Sequence, residues 1–293
     1  MRKIAFSVSP AYEGILLRGY LRNVVCLSAR QTAKLKRVPG GITRNGRPIT
    51  APERLHAGDT VCIAFPEDKK LSTPVKLPIA VVYEDEDVLV AEKPPAMPMY
   101  PCPGHDRDSL ANAVAYLQSC SGCFYSYRPI YRIDKDTSGL VLIAKNSFAA
   151  SRLSGRVQKT YLALCEGKLT GGGTICRPIG LKAGHSIQRA VRPDGERAVT
   201  QWRSVSSGKE LSLIAVHLKT GRTHQIRVHF SSFGFPLAGD DMYGGSLGQI
   251  SRQALHCAEL RFRHPVTGKR MRFRSFLPED MACLVKSTRN AYA

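Results

Sequence analysis

Acidic residues are scarce in this chain. Its 293 residues carry Lys+Arg 43 against Asp+Glu 23, a formal net charge of +20. That deficit of negative charge argues against a cationic partner and points to a polyanionic one, nucleic acid or an anionic membrane surface. Long apolar runs are also lacking. None approaches the roughly 20 residues needed to span a bilayer. The opening stretch MRKIAFSVSPAYEG starts basic, but Pro10 and Glu13 interrupt it before the apolar core of a signal peptide can form. A cytoplasmic protein without membrane attachment is therefore expected. A disulfide framework is missing as well, because nine cysteines without a secretory signal fit reduced thiols better. One cysteine pattern has the spacing of a structural zinc site: Cys102 and His105, then Cys120 and Cys123. The first pair sits in a Pro/Gly loop and the segment between the pairs reads as helix, so scattered free thiols are the preferred expectation. No regular repeat is present, and no strand–helix alternation of the doubly wound kind.

What is present falls into two parts. The stretch PEDKKLSTPVKLP (66–78) is polar, proline-rich and aperiodic, as a linker would be. The division expected is 1–68 as a small basic domain, 69–78 as a linker and 79–293 as the main domain. Basic charge is about twice as dense in the first part. GILLRGYLRNVV places Leu17, Leu21, Val24 and Val25 on one helical face, and Ser28 suits the N-cap of a second helix rich in Arg and Lys. Asn45-Gly46 between short strand-like arms is a strong hairpin signal, and AGDTVCIAF supplies another strand. GGITRNGRPI and LHAGDTVCIAF, in this order after two helices, resemble the small RNA-binding domain of ribosomal small-subunit protein four. Beyond the linker, PIAVVYED, DVLVAEKP, GLVLIAK, KTYLALCE, AVTQWRSV and LSLIAVHL read as strands. Helices are expected at SLANAVAYLQS, capped by Ser109, near SFAASRLSG, and at THQIRVHFSSFG, with Thr223 as N-cap and Gly234 as stop. The fold class is α+β, with a mixed or mostly antiparallel sheet.

The stretch YRIDKDTSG, 131–139, concentrates the chemistry. Asp134 and Asp136 form a D-x-D pair, and Asp240 in FPLAGDD begins a second acidic pair, as in a magnesium-dependent aspartyl phosphatase. Against that reading, Thr137 comes one position too early. The approach RPIYRI also brings two arginines towards the supposed metal, and the parallel α/β pattern is absent. A base-modifying reading uses more of the residues. Asp134 has Arg132 beside it as a cation, ready for a nucleophile or base role. TGRTHQIRVHF sets Arg222 and Arg227 near a helix N-terminus, where a polyanion is favoured. Tyr161, inside a strand, is available to stack on a base taken out of its helix.

RPIYRIDKDTSGLVLIAKN, KTYLALCEG, LKTGRTHQIRVHF, LAGDDMYGG and RQALHCAELRFRHPVTGK occur in the order seen in RluA-type pseudouridine synthases. The resemblance runs over nearly all of 79–280. EKPPAMPMYP is similar to the family's early K-P-x-G segment, with Ala96 where glycine is usual, and HRLD reads YRID here. The resemblance implies that Asp134 promotes cleavage of the uridine glycosidic bond, by adding to the sugar or by removing its C2′ proton. It implies further that Arg227 pairs with Asp134, that Tyr161 lies against the target base, and that Arg132 helps hold the RNA open. No metal or organic cofactor is implied. The implied partner is RNA, ribosomal RNA of the large subunit ahead of transfer RNA; nothing in the sequence demands more than a monomer. The alternative is a non-catalytic RNA-binding or ribosome-assembly factor on the same fold.

Overall fold

The computed structural model of the protein describes residues 2–65 and 72–290, with side chains as far as residue 285. In the N-terminal part, β1 (Arg2–Ser7) pairs antiparallel along its whole length with β4 (Thr60–Phe65). The same β4 pairs with β2 (Ile42–Arg44), which turns into β3 (Arg47–Pro48). The turn is Asn45-Gly46, with φ of 49° and 81°. Positive φ at both central residues is the geometry that matches strand twist in a two-residue hairpin. Helix α1 (Leu17–Asn23) buries Leu17, Tyr20 and Leu21 and turns Arg18 and Arg22 outward. Helix α2 (Ala29–Lys36) starts on a capping box: Ser28 Oγ accepts from the Gln31 amide, and Gln31 Oε1 accepts from the Ser28 amide. Strand β1 was unexpected. Its partner lies more than fifty residues away in the chain.

The rest of the chain builds one ten-stranded sheet. Its elements begin with β5 (Ala80–Glu84), β6 (Val88–Lys93), α3 (Leu110–Ser121), β7 (Arg128–Pro129), β8 (Ser138–Ala144) and α4 (Ser147–Leu153). Then come β9 (Gln158–Glu166), β10 (Gly172–Cys176), the small pair β11 (Ile179–Leu181) and β12 (Arg189–Val191), β13 (Val199–Ser207) and β14 (Leu211–Leu218). The last are α5 (Gln225–Ser232), β15 (Leu255–Arg263), β16 (Arg270–Arg274) and α6 (Glu279–Asn290). The sheet order is β10-β13-β14-β9-β15-β8-β6-β5, with β16 added to β15 and β7 to β8. All pairs are antiparallel except β15 with β8. Along β9, Tyr161, Ala163 and Cys165 point into the main core with residues of α3 and α5, while Leu162 and Leu164 pack towards Met281 of α6. Residues 72–79 run extended against α3, where Asn112 Nδ2 donates to the Thr73 carbonyl at 2.8 Å. The expected boundary at 68 and the start of the linker at 69 lie outside the described residues.

The two parts touch through a socket. Phe148 of α4 is fully buried in the N-terminal core, with ring centroids 5.8 Å from Phe6 and 5.4 Å from Phe65. Arg2 forks onto Asp87 at 3.1 and 2.9 Å.

The parallel β8–β15 junction sits mid-sheet and requires a glycine. Gly139 has φ of +109°, and a Cβ there would meet the Cys257 carbonyl oxygen at 2.4 Å. No other residue fits that approach. Next to it, buried His256 contacts Ser138 Oγ at 2.9 Å through Nδ1 and Ser275 Oγ at 3.0 Å through Nε2. Burial lowers its pKa to about 4, from 6.5. Between those values the unfolded chain binds the extra proton, so this contribution is complete above pH 6.5 and is lost as pH falls towards 4. The loss amounts to about 3 kcal/mol. Urea midpoints at neutral and acid pH test this: His256→Gln is expected to shrink the acid-induced loss, and an undiminished loss would assign it to other groups.

Candidate active site

The loop from Tyr131 to Thr137 delivers the chain into β8, and its backbone is held by two buried cations. Lys93 Nζ donates to the Lys135 carbonyl at 2.7 Å and also to the carbonyls of Pro94 and Met97, each at 2.8 Å. All three ammonium protons are used. Burial lowers the Lys93 pKa to about 7, against the pull of Asp136 and Asp134. Arg252, itself forked onto Asp280, donates to the Asp136 carbonyl at 3.0 Å. The Thr137 amide closes a turn onto the Asp134 carbonyl at 3.1 Å. Asp136 to Gly139 thus shape the loop that presents Asp134. Ala96, in the segment that Lys93 ties down, has φ of 58°. That left-handed conformation is one that glycine adopts more cheaply, which is why glycine would suit the position.

The carboxylate of Asp134 faces Arg227, whose Nη1 lies 3.3 Å from Oδ2. The expected pair is therefore formed, but Arg227 has a stronger partner. Its Nε and Nη2 each donate to Asp240 at 2.7 Å, in a bidentate fork on a carboxylate that is 1% exposed. The Arg227 guanidinium also lies 4.9 Å from the centre of the Tyr243 ring. Burial alone would lower the Arg227 pKa; Asp240 first, then Asp134, outweigh it and raise the pKa above the ordinary arginine value. The expectation of an arginine open to a polyanion at a helix N-terminus fails for Arg227, which is buried. Arg222, at the surface, pairs instead with Glu196. Thr223 is not the N-cap either. His224 holds that position at φ of 55°, without a side-chain cap, and Gln225 Oε1 accepts from the Arg222 amide instead.

His224 completes the polar wall. Its Nδ1 lies 2.8 Å from the Tyr243 hydroxyl, whose oxygen accepts from the Arg189 amide at 2.9 Å. The other ring nitrogen, Nε2, lies 4.0 Å from Asp134 Oδ2. Burial keeps His224 below its usual pKa, in spite of Asp134. Arg132, Asp134, Tyr161, His224 and Arg227 all line one small cleft, together with apolar residues such as Leu218. Tyr161 is 5% exposed, and burial holds its phenol protonated well above the usual range. Arg132 is exposed at the rim. All four expected site residues come together. Asp240, His224 and Lys93 were not singled out for the site, and the only signals for them were LAGDDMYGG, GRTHQIR and EKPPA.

The metal readings find no support in this arrangement. Asp240 is committed to Arg227, so the second acidic pair offers no magnesium site. Cys102, Cys120 and Cys123 are exposed free thiols, and no three of the zinc-spaced residues come within ligand distance among the described residues. The group that does is Asp85 with Asp87 and His264, in which Asp85 Oδ1 accepts from the Asp87 amide at 2.8 Å. His264 Nδ1 accepts from the Thr267 amide at 3.1 Å, which leaves the proton on Nε2, facing Asp85 at 2.9 Å. A protonated nitrogen is no ligand.

The family model described as RNA pseudouridylate synthase matches residues 87–232. An uncharacterized RNA pseudouridine synthase of Bacillus subtilis is 39% identical over 89% of this chain and 95% of that protein. Ribosomal large subunit pseudouridine synthase D of Vibrio vulnificus is 36% identical over 85% of this chain and 83% of its own length. The solved structure of human RNA pseudouridylate synthase domain containing 1 shares the fold, with a TM-score of 0.57 and 24% identity, covering 72% of this chain and 95% of that one. With this relatedness along most of its length, and a single carboxylate presented to an arginine-backed cleft, the chain belongs to the RluA-type family of RNA pseudouridine synthases.

Proposed function

We propose that Asp134 is the reactive group of this synthase and that its substrate is large-subunit ribosomal RNA, the RNA named for the Vibrio relative. The observation that carries the site reading is the unequal sharing of Arg227. Two of its nitrogens are fixed by buried Asp240, and one reaches Asp134 Oδ2. Asp134, with its side chain 28% exposed, is thus oriented from behind while it stays open to the cleft. A flipped uridine places its sugar C1′ at this carboxylate and its base against Tyr161. Asp134 then adds to C1′ or takes the C2′ proton, and the N1–C1′ bond breaks. The uracil turns within the cleft and a C5–C1′ bond forms as the Asp134–C1′ bond breaks or, on the other route, as the C2′ proton returns from Asp134; C5 then loses its proton and N1 gains one. Atoms and electrons balance without a co-reactant, so no cofactor is called for. Arg132, at the rim, holds the RNA opened around the extruded nucleotide.

Residues 1–68 serve as a separate small RNA-binding unit, 69–78 join it to the catalytic domain at 79–293, and the protein works as a cytoplasmic monomer. The exposed Arg18, Arg22, Arg30 and Arg37 support an RNA-facing role for the first unit. No helix among the described residues is long and apolar enough to cross a membrane. The test is conversion of unmodified large-subunit rRNA transcript by purified protein, read by primer extension after carbodiimide treatment. Stops at a small set of uridines are expected. Conversion confined to transfer RNA would overturn the substrate, and no conversion of either would overturn the site reading.

A further inference from the structure

A groove of about 850 Å³ lies between the end of α4 and the β15–β16 hairpin. Six arginines line it: Arg152, Arg156, Arg261, Arg263, Arg270 and Arg272. The strand register sets Arg261 directly across from Arg272, and Arg263 directly across from Arg270. Like charges on facing positions weaken a hairpin. One of these two rungs is answered within the protein. Glu259 accepts from Arg261, from Arg272 at 2.7 Å and from Arg274 at 2.8 Å. Burial opposes ionisation of Glu259, but these three guanidiniums outweigh it and hold its pKa at about 2. The other rung has no such answer. Among the described residues, Arg156, Arg263 and Arg270 have no carboxylate partner, and Arg152 rests over the Phe148 ring. A fold that keeps this uncompensated charge on one hairpin leaves room for counter-charge from outside.

We propose that this groove is a second RNA-binding surface, taking the phosphodiester backbone of the segment that flanks the target uridine. The inference rests on the RNA-modifying role of the cleft and extends it. Guanidinium forks match phosphate oxygens in a bidentate way that a carboxylate-poor surface leaves available. Position supports the same occupant. Gln158 lines the groove opposite Arg261, on the strand that carries Tyr161 three residues later, about 10 Å along and with its side chain on the other face of the sheet. At the other end, Val266 at the hairpin tip packs against the N-terminal core. The groove therefore shares β9 with the catalytic cleft and meets the basic N-terminal part at its other end. Its contacts position the RNA without reading its sequence.

The test compares two triple variants of the full chain that lose equal charge. One is Arg156→Gln/Arg263→Gln/Arg270→Gln. The control is Lys168→Gln/Arg203→Gln/Lys209→Gln, at exposed positions elsewhere. Binding to large-subunit rRNA transcript is measured across a series of KCl concentrations. The groove triple is expected to weaken binding by about tenfold or more and to flatten the log–log salt slope by about 2, with the control changing it by less than about 1. In turnover, KM rises far more than kcat falls. Equal effects from both triples, or an unchanged slope, would overturn the proposal. Hydrogen exchange of the unaltered protein gives a second reading. Protection of 261–272 by the transcript supports the groove. No protection by RNA, or protection by polyglutamate instead, overturns it. Uridine conversion by the unaltered protein in the same preparation keeps a failed groove distinct from a failed catalytic reading.

Discussion

Asp134→Asn is expected to abolish pseudouridine formation, with a loss on the order of 10⁴-fold or more in single-turnover rate. The amide is neither a nucleophile nor a base, yet it has the shape of the carboxylate. The surroundings predict what should not change. Arg227 keeps both bonds to Asp240, and the loop keeps its anchors from Lys93 and Arg252. The Asp134 side chain is 28% exposed and makes a single contact of 3.3 Å with Arg227. Stability should therefore change by less than about 1 kcal/mol. Affinity for rRNA should stay within about threefold, since phosphate contacts made elsewhere supply most of it. Rate assays with carbodiimide mapping, paired with filter binding, separate the two effects. Substantial turnover by the variant would remove Asp134 from the reaction.

Asp240→Ala is expected to damage the enzyme by another route, in stability as well as in rate. It leaves the Arg227 guanidinium buried, its side chain 7% exposed, with only the longer contact to Asp134. Removing one partner of a buried pair costs about 3–5 kcal/mol, because the remaining charge is uncompensated. Arg227 would then compete for Asp134 directly and pull that carboxylate off its line. Displacement of about 1 Å at a reacting group costs roughly 100-fold in rate. Asp240→Asn, which keeps one acceptor in the same place, should lose less on both measures. Urea unfolding and single-turnover assays on the two variants check this ordering. A stability loss below about 1 kcal/mol for the alanine variant would mean that Arg227 is held by something else.

Many strand and helix positions could be read directly, because β-branched alternation and the caps at Ser28 and Ser109 are local signals. The same holds for the Asn45-Gly46 turn. Errors came where distant residues override local preference. Thr223 is a good N-cap by type, yet the backbone turns sharply at His224, and the Gln225 side chain supplies the local hydrogen bonds in its place. Strand β1 is too short and too mixed to declare itself without β4 beside it. Lys93 opens the segment similar to K-P-x-G, but nothing there says what it holds, and only the folded chain buries it among three carbonyls.

The sequence by itself determined the class of protein and the α+β architecture and pointed to YRIDKDTSG as the stretch to propose for the chemistry, because each rests on residue type, short spacing and the order of motifs. The order of motifs, with Asp134 inside YRIDKDTSG, was enough for that. Only the tertiary structure decided how Asp134 is governed. The resemblance implies the pair with Arg227, 93 residues further on, but not that Asp240 holds two of that arginine's nitrogens. Gly139 proved to be needed for close contact with Cys257 across a parallel junction, not only for a turn. The physical reason is common to both. Charge pairing and backbone contact act through space, and nothing in local spacing records which distant segment will arrive.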